Sequence, residues 1–218
     1  MRSAPSLARR LRDSSGASIV IALVFFLICG IIGSVVVTAA SVQAKSVQTH
    51  KELQQSEYTM QSAAELIAQQ LGGEDSSALQ HSVTVHVSYG TDKKPIVDVS
   101  KVHSEVGKGF WTKGRTESIL ANRAAGSSYV LGDSPSNRLV VNSPSGSQSM
   151  DPVYGKITVD ADMNMTVELS LDPELSPSSP YNMTVFIQCT PTYNAAGQLT
   201  SFTYGDGTTI KKTSGSAS

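Results

Sequence analysis

The sequence has 218 residues, which is enough for one globular domain with a membrane anchor but not for two large domains. Charged residues make up 16% of it, fewer than the roughly 25% of a typical soluble domain, and the net charge is only −1. A nucleic-acid surface needs a clustered excess of basic residues, so the composition argues against a nucleic-acid partner.

The N-terminal segment is basic and is followed by an uncharged, apolar segment. Residues 1–16 form a leader with four arginines, and residues 14–44 contain no charged side chain. Within them, residues 19–37 are almost wholly apolar, and about 20 such residues cross the hydrocarbon core of a bilayer as a helix. We therefore predict a transmembrane helix over residues 17–44. The positive-inside rule places the N-terminus in the cytoplasm and the C-terminal domain outside it.

Two other interpretations of this segment stay open. Val42-Gln43-Ala44 has the small residues of a secretory cleavage site, although the apolar run is longer than the 7–15 residues of a signal peptide. Cleavage after Ala44 would give a secreted protein. The segment also has the composition of a buried core helix in a soluble protein.

Small residues recur every four positions along the apolar run, at Gly30, Ser34 and Thr38. Stripes of this kind let transmembrane helices approach each other closely. We therefore take these three residues as a candidate helix–helix contact face in the membrane. The alternative is that small residues are simply common in membrane helices.

A second helical pattern follows, and the sequence predicts an extracytoplasmic amphipathic helix over residues 45–73. Residues 41–71 contain neither proline nor glycine, and apolar side chains share one helical face. The Gly72-Gly73 pair provides a stop signal. The apolar face consists of Leu53, Met60, Ala64, Ile67 and Leu71.

Residues 15–23 (SGASIVIAL), together with the helical stretch ending in residues 60–66 (MQSAAEL), resemble the N-terminal segment of type IV pilin-like proteins. The resemblance is closest to the PilX-like minor pilins and covers about a quarter of the chain, residues 15–71. It implies cleavage between Gly16 and Ala17 by a prepilin peptidase. It also implies other pilin-like subunits as partners and an antiparallel sheet packed on the outer half of the long helix. Ile21 stands where major pilins carry a glutamate, an acid that PilX-like members often lack.

Residues 74–218 are predicted to form a β-rich exterior domain, because apolar and polar residues alternate there with period two. We expect one helix near residues 116–125, anchored by Phe110 and Trp111. Asp206-Gly207 is expected to make a tight hairpin turn. The strands are predicted at residues 82–89, 96–102, 129–131, 138–141, 154–159, 165–171, 181–190, 199–204 and 208–212.

No catalytic or cofactor-binding motif occurs in the sequence, so we predict no enzyme, no cofactor and no metal. Asp160, Asp162 and Asn164 have the spacing of a calcium loop, but the glycine and glutamate of such a loop are missing and a hairpin turn explains them equally. The four histidines form no close-spaced ligand motif. A disulfide between Cys29 and Cys189 is implausible, because Cys29 lies inside the apolar run and Cys189 lies far outside it.

The sequence thus predicts an α+β protein, with a long N-terminal helix followed by an antiparallel β-rich domain. Three functional hypotheses follow. The first is a minor pilin-like structural subunit of a cell-envelope pilus or pseudopilus. The second is a single-pass anchored module that binds an unidentified ligand outside the cell. The third, which the lack of a catalytic motif disfavours, is an exported enzyme with an unrecognised site.

Overall fold

The computed structural model consists of two compact units, Met1–Leu53 and Gln54–Ser218. For residues 7–18, 75–76, 79–80 and 206 only the backbone is described. The structure describes residues 7–73, 75–76, 79–80, 83–92, 94–142 and 151–213.

A single helix, α1, spans Leu7–Gly72 and runs through both units. It ends where expected, because Gly73 adopts a left-handed conformation (φ 72°) and its N–H donates to the carbonyl of Gln69. Of the predicted apolar face, Met60, Ala64, Ile67 and Leu71 are buried, which confirms the amphipathic pattern in the second unit. Leu53, at the end of the first unit, is 45% exposed.

The second unit is built on an eight-stranded antiparallel sheet. A separate two-stranded ladder joins β1 (Asp75–Ser76) and β2 (Leu79–Gln80). The eight strands of the sheet are β3 (Val83–Tyr89), β4 (Pro95–Asp98), β5 (Tyr129–Leu131), β6 (Leu139–Val141), β7 (Val153–Val159), β8 (Met165–Ser170), β9 (Met183–Tyr193) and β10 (Leu199–Lys212). They lie in the order β4-β3-β10-β9-β8-β7-β5, and β6 also pairs with β7.

One face of the sheet carries the core, as the alternation in the sequence predicts. Along β3, Val83, Val85 and Val87 are buried, whereas His86 on the other face is only half-buried. Successive side chains of a strand point to opposite faces, and β7, β8 and β9 repeat the same pattern. The fold class is therefore confirmed as α+β, with a long N-terminal apolar helix and an antiparallel sheet domain.

Two short helices complete the second unit. Helix α2 spans Glu105–Phe110 and α3 spans Lys113–Ala124. Helix α3 contacts both β4 and β5, the outermost strands at opposite edges of the sheet. The sheet is therefore a half-barrel bridged by this helix. Trp111, between the two helices, is fully buried and stacks on Tyr204 with ring centroids 5.3 Å apart, so the predicted aromatic anchor is confirmed.

The predicted hairpin turn at Asp206-Gly207 is wrong. Strand β10 does not reverse there but continues along β9 to Lys212. Between Tyr204 and Thr208, β10 advances four residues while β9 advances two, from Cys189 to Ile187. The Gly-Asp-Gly sequence therefore forms a bulge, and Gly205 takes a φ of 153° that glycine tolerates best.

Two further differences concern the segment between β3 and β5. Strand β4 is shorter than predicted, and Val102 forms only an isolated bridge with Val83. Helix α2 was not predicted, because Gly107 and Gly109 give it poor intrinsic helix propensity. Residues 143–150 and 214–218 lie outside the described residues.

Candidate functional site

The apolar segment of α1 has no protein around it in the described structure. Every residue from Ile19 to His50 is exposed, and the most apolar part of the helix is 0% buried. The side chain of Phe26, for example, is 84% exposed. By length and composition this helix is able to cross a membrane, which is the coarse part of the sequence prediction. An apolar surface of this extent is unusual on a soluble monomer.

The hydroxyl groups within this segment are satisfied by the helix itself. Ser34 Oγ donates to the carbonyl of Ile31 at 2.8 Å, and Thr38 Oγ1 donates to the carbonyl of Ser34 at 2.8 Å. Ser41 Oγ bonds the carbonyl of Val37 in the same way. Polar groups in a bilayer core need such internal partners, because no water is available there. The free-energy cost of placing these hydroxyl groups in lipid is therefore small.

The three residues of the predicted contact face, Gly30, Ser34 and Thr38, lie on this exposed helix. A Cβ placed at Gly30 would meet no atom within 4 Å. A shallow groove on the helix surface is lined by Ser34 and Thr38 together with Val35 and Ala39. Since both hydroxyls bond within the helix, any contact here would be made by van der Waals packing.

The processing residues predicted from the family resemblance, Gly16 and Ala17, lie within the backbone of α1. Their side-chain environment lies outside the described structure. Ile21, at the position of the acid found in major pilins, is 63% exposed. Cleavage between Gly16 and Ala17 therefore stays a prediction.

At its other end, α1 is fastened to the β-rich domain by polar contacts. Ser104 Oγ donates to the carbonyl of Gln70 and also accepts the N–H of Gly107, so it caps α2 while holding the end of α1. Lys212 Nζ lies 2.9 Å from Glu57 Oε1. Together with the buried apolar face of α1, these contacts make the end of the helix part of the domain.

The groups that titrate abnormally have structural explanations. Burial raises the pKa of the Cys189 thiol to about 11, so it remains protonated at neutral pH and is a poor nucleophile. Burial also raises the pKa of Tyr204, whose hydroxyl donates to the carbonyl of Met163 at 2.6 Å. Hydrogen bonds from Ser100 lower the pKa of the exposed carboxyl of Asp98.

The segment with calcium-like spacing is a hairpin turn between β7 and β8. Asp160 Oδ1 accepts the N–H of Asn164 at 2.8 Å, and Asn164 Oδ1 accepts the N–H of Cys189 at 3.1 Å. The first bond closes the turn, and the second connects the turn to β9. Among the described residues, no three His, Cys, Asp or Glu side chains are grouped to hold a metal ion. His81 lies outside the described residues.

One feature of the second unit was missed at the sequence level. A cavity of about 430 Å³ lies beside α2, α3 and the β5–β6–β7 edge of the sheet, with Arg115 and Arg138 in its lining. The two arginines are 23 residues apart and share no motif, so only the fold shows that they line the same cavity. No protein-family model, curated protein sequence or solved structure matches the chain.

Proposed function

We propose that this protein is a structural subunit of a cell-envelope pilus or pseudopilus-like assembly, of the minor pilin type. The leader, residues 1–16, is removed by a prepilin peptidase. The helix that begins at Ala17 anchors the subunit in the membrane and contacts the helices of other pilin-like subunits. The N-terminus faces the cytoplasm, and the β-rich domain lies outside it.

The observation that carries this proposal is the division of α1 between two environments. Its N-terminal part exposes apolar side chains on all sides, as a helix in lipid or in a helical bundle does. Its C-terminal part buries a single apolar face in the core of the β-rich domain. A cleaved secretory signal needs no such continuous helix, whereas a subunit that assembles through its helix does.

The orientation is supported by the charges that flank the apolar run. Arg2, Arg9, Arg10 and Arg12 precede it, and the first basic residue after it is Lys45. This excess of arginine on the N-terminal side is typical of a cytoplasmic end. Gly16 would then lie near the cytoplasmic face, where its missing side chain leaves the peptide bond accessible.

N-terminal sequencing of the protein isolated from membranes tests the proposal. We expect wild-type protein to begin at Ala17. The variant Gly16→Leu should remain at full length while staying in the membrane, because a bulky side chain would obstruct the peptidase. Ser6→Leu introduces the same bulky side chain elsewhere in the leader and should be processed normally. Mature protein that begins at Met1 would leave only a plain anchor, and protein that begins at Lys45 would support a secreted protein.

The second candidate function, an anchored exterior module that binds a ligand, is favoured by the arginine-lined cavity. The two functions differ in what they need from the membrane helix. An assembly subunit needs a specific helix face, so Gly30→Leu should prevent its co-isolation with other subunits while leaving it in the membrane. A simple anchored module should tolerate the same change.

A further inference from the structure

The cavity in the second unit is large enough to hold a small molecule. Its volume of about 430 Å³ lies within the roughly 300–1,000 Å³ of typical ligand pockets. Phe110 and Ile157 are buried and form its apolar wall together with the half-buried Leu131 and Leu139. Such sites are typically apolar, with a few polar groups that fix the orientation of the ligand.

Three polar side chains line this cavity, those of Asn137, Arg115 and Arg138, and the two arginines carry its charge. Arg115 donates to the carbonyls of Gly109 and Phe110 through Nη1 alone, at 2.8 and 2.9 Å. Arg138 donates to the carbonyls of Pro173 and Gly132 through Nε and Nη1. These bonds hold both side chains in place, and each arginine keeps donors that they do not use.

The charge of the two arginines is not neutralised by the described part of the chain. Neither guanidinium forms an ion pair with a described carboxylate, and no acidic residue lines the cavity in that part. A guanidinium is always charged and matches a carboxylate with two parallel hydrogen bonds. The cavity therefore complements a ligand that carries an anionic group on an apolar body.

We infer that this cavity binds the anion of a medium-chain fatty acid. The carboxylate would lie at Arg115 and Arg138, and the alkyl chain would lie against Phe110, Leu139 and Ile157. The cavity volume of about 430 Å³ accommodates a small amphipathic ligand. Dodecanoate is a medium-chain example. The inference is independent of the proposed assembly function, since it concerns only the β-rich domain.

Photolabelling of the full-length chain in lipid nanodiscs tests this inference, with a dodecanoate analogue that carries a diazirine on its alkyl chain. Peptide mapping separates labelling of the cavity from non-specific labelling of the apolar helix by lipid-dissolved probe. We expect labels on the peptides around Phe110 and Leu139. Unlabelled dodecanoate should compete with this labelling at least tenfold better than dodecanol, which has the same chain without the charge.

A matched pair of glycine variants separates binding from folding. A Cβ at either Gly109 or Gly114 would meet no atom within 4 Å, but only Gly109 lines the cavity. Gly109→Leu should therefore reduce cavity labelling at least tenfold without lowering the melting temperature. Gly114→Leu should leave the labelling unchanged.

A second pair of variants tests the charge. Arg115→Gln with Arg138→Gln retains hydrogen-bond donors but removes both charges, and it should abolish the preference for dodecanoate over dodecanol. Arg123→Gln removes an arginine that packs on Tyr193 outside the cavity and should have no effect. Labelling confined to residues 19–47, or equal competition by dodecanol in the wild-type protein, would overturn the inference.

Discussion

Ser104 shows how one hydroxyl group joins two elements of this fold. It accepts the N–H of Gly107 at 3.1 Å as the N-cap of α2, and it donates to the carbonyl of Gln70 near the end of α1. The side chain is only 2% exposed. Removing it would leave the N-terminus of α2 uncapped and the half-buried carbonyl of Gln70 without this partner.

We expect Ser104→Ala to lower the free energy of unfolding by about 1–3 kcal/mol, from the lost cap and the unsatisfied carbonyl together. Thr112→Ala is the matched control, because Thr112 is the N-cap of α3 but its side chain makes no capping hydrogen bond. Urea titration of the two variants should separate them clearly. Equal losses in both variants would contradict the double role of Ser104.

Among the elements, the second half of α1 is the one whose packing the sequence predicts best. Four of its five predicted face residues are buried, because a 3.6-residue period leaves little choice of face. The strands β3, β7 and β8 were predicted nearly to the residue for the same reason. Apolar residues alternate with period two along these strands, and they face one core.

Elements that depend on tertiary context were predicted poorly. The Asp206-Gly207 pair has the local chemistry of a hairpin turn, yet β10 stays paired with β9 on both sides of it. The pairing of β10 with β9 determines the backbone conformation at this point. Local turn propensity carries no information about that pairing. Helix α2 contains two glycines and is held by Ser104 and by the buried Phe110 rather than by propensity. The cavity likewise depends on residues that only the folded sheet assembles.

Two neighbouring residues of α1 provide a direct test of its packing. Ile67 is 1% exposed, whereas Leu66 is 43% exposed. We expect Ile67→Ala to lower the free energy of unfolding by about 2–5 kcal/mol through lost burial and a residual cavity. Leu66→Ala should change it by no more than about 0.5 kcal/mol. Thermal or urea unfolding of both variants measures this, and similar losses would show that α1 does not pack on the sheet by this face.

For the whole molecule, the central expectation is its topology. Along the chain, the apolar helix follows an arginine-rich leader and precedes a domain whose polar face can be hydrated. In cells whose outer barrier has been opened, added protease should digest the chain after Lys45, because the proposed orientation places that part outside the cytoplasm. A cytoplasmic marker protein should stay intact in the same sample. Complete protection of the β-rich domain, with digestion only after lysis, would reverse the proposed orientation.

The position of β10 in the sheet has a consequence for how the chain acquires its structure. This strand pairs with β9, its neighbour in sequence, and with β3, so that Thr84 and Thr203 meet across 119 residues of chain. Because β10 is the last described strand along the chain, the two halves of the sheet stay unjoined until it emerges. Such distant pairings fold slowly and leave strand edges open to aggregation in the meantime. We therefore expect the domain to mature only after nearly all of the described chain has been synthesised, which is compatible with the proposed export of the domain before it folds.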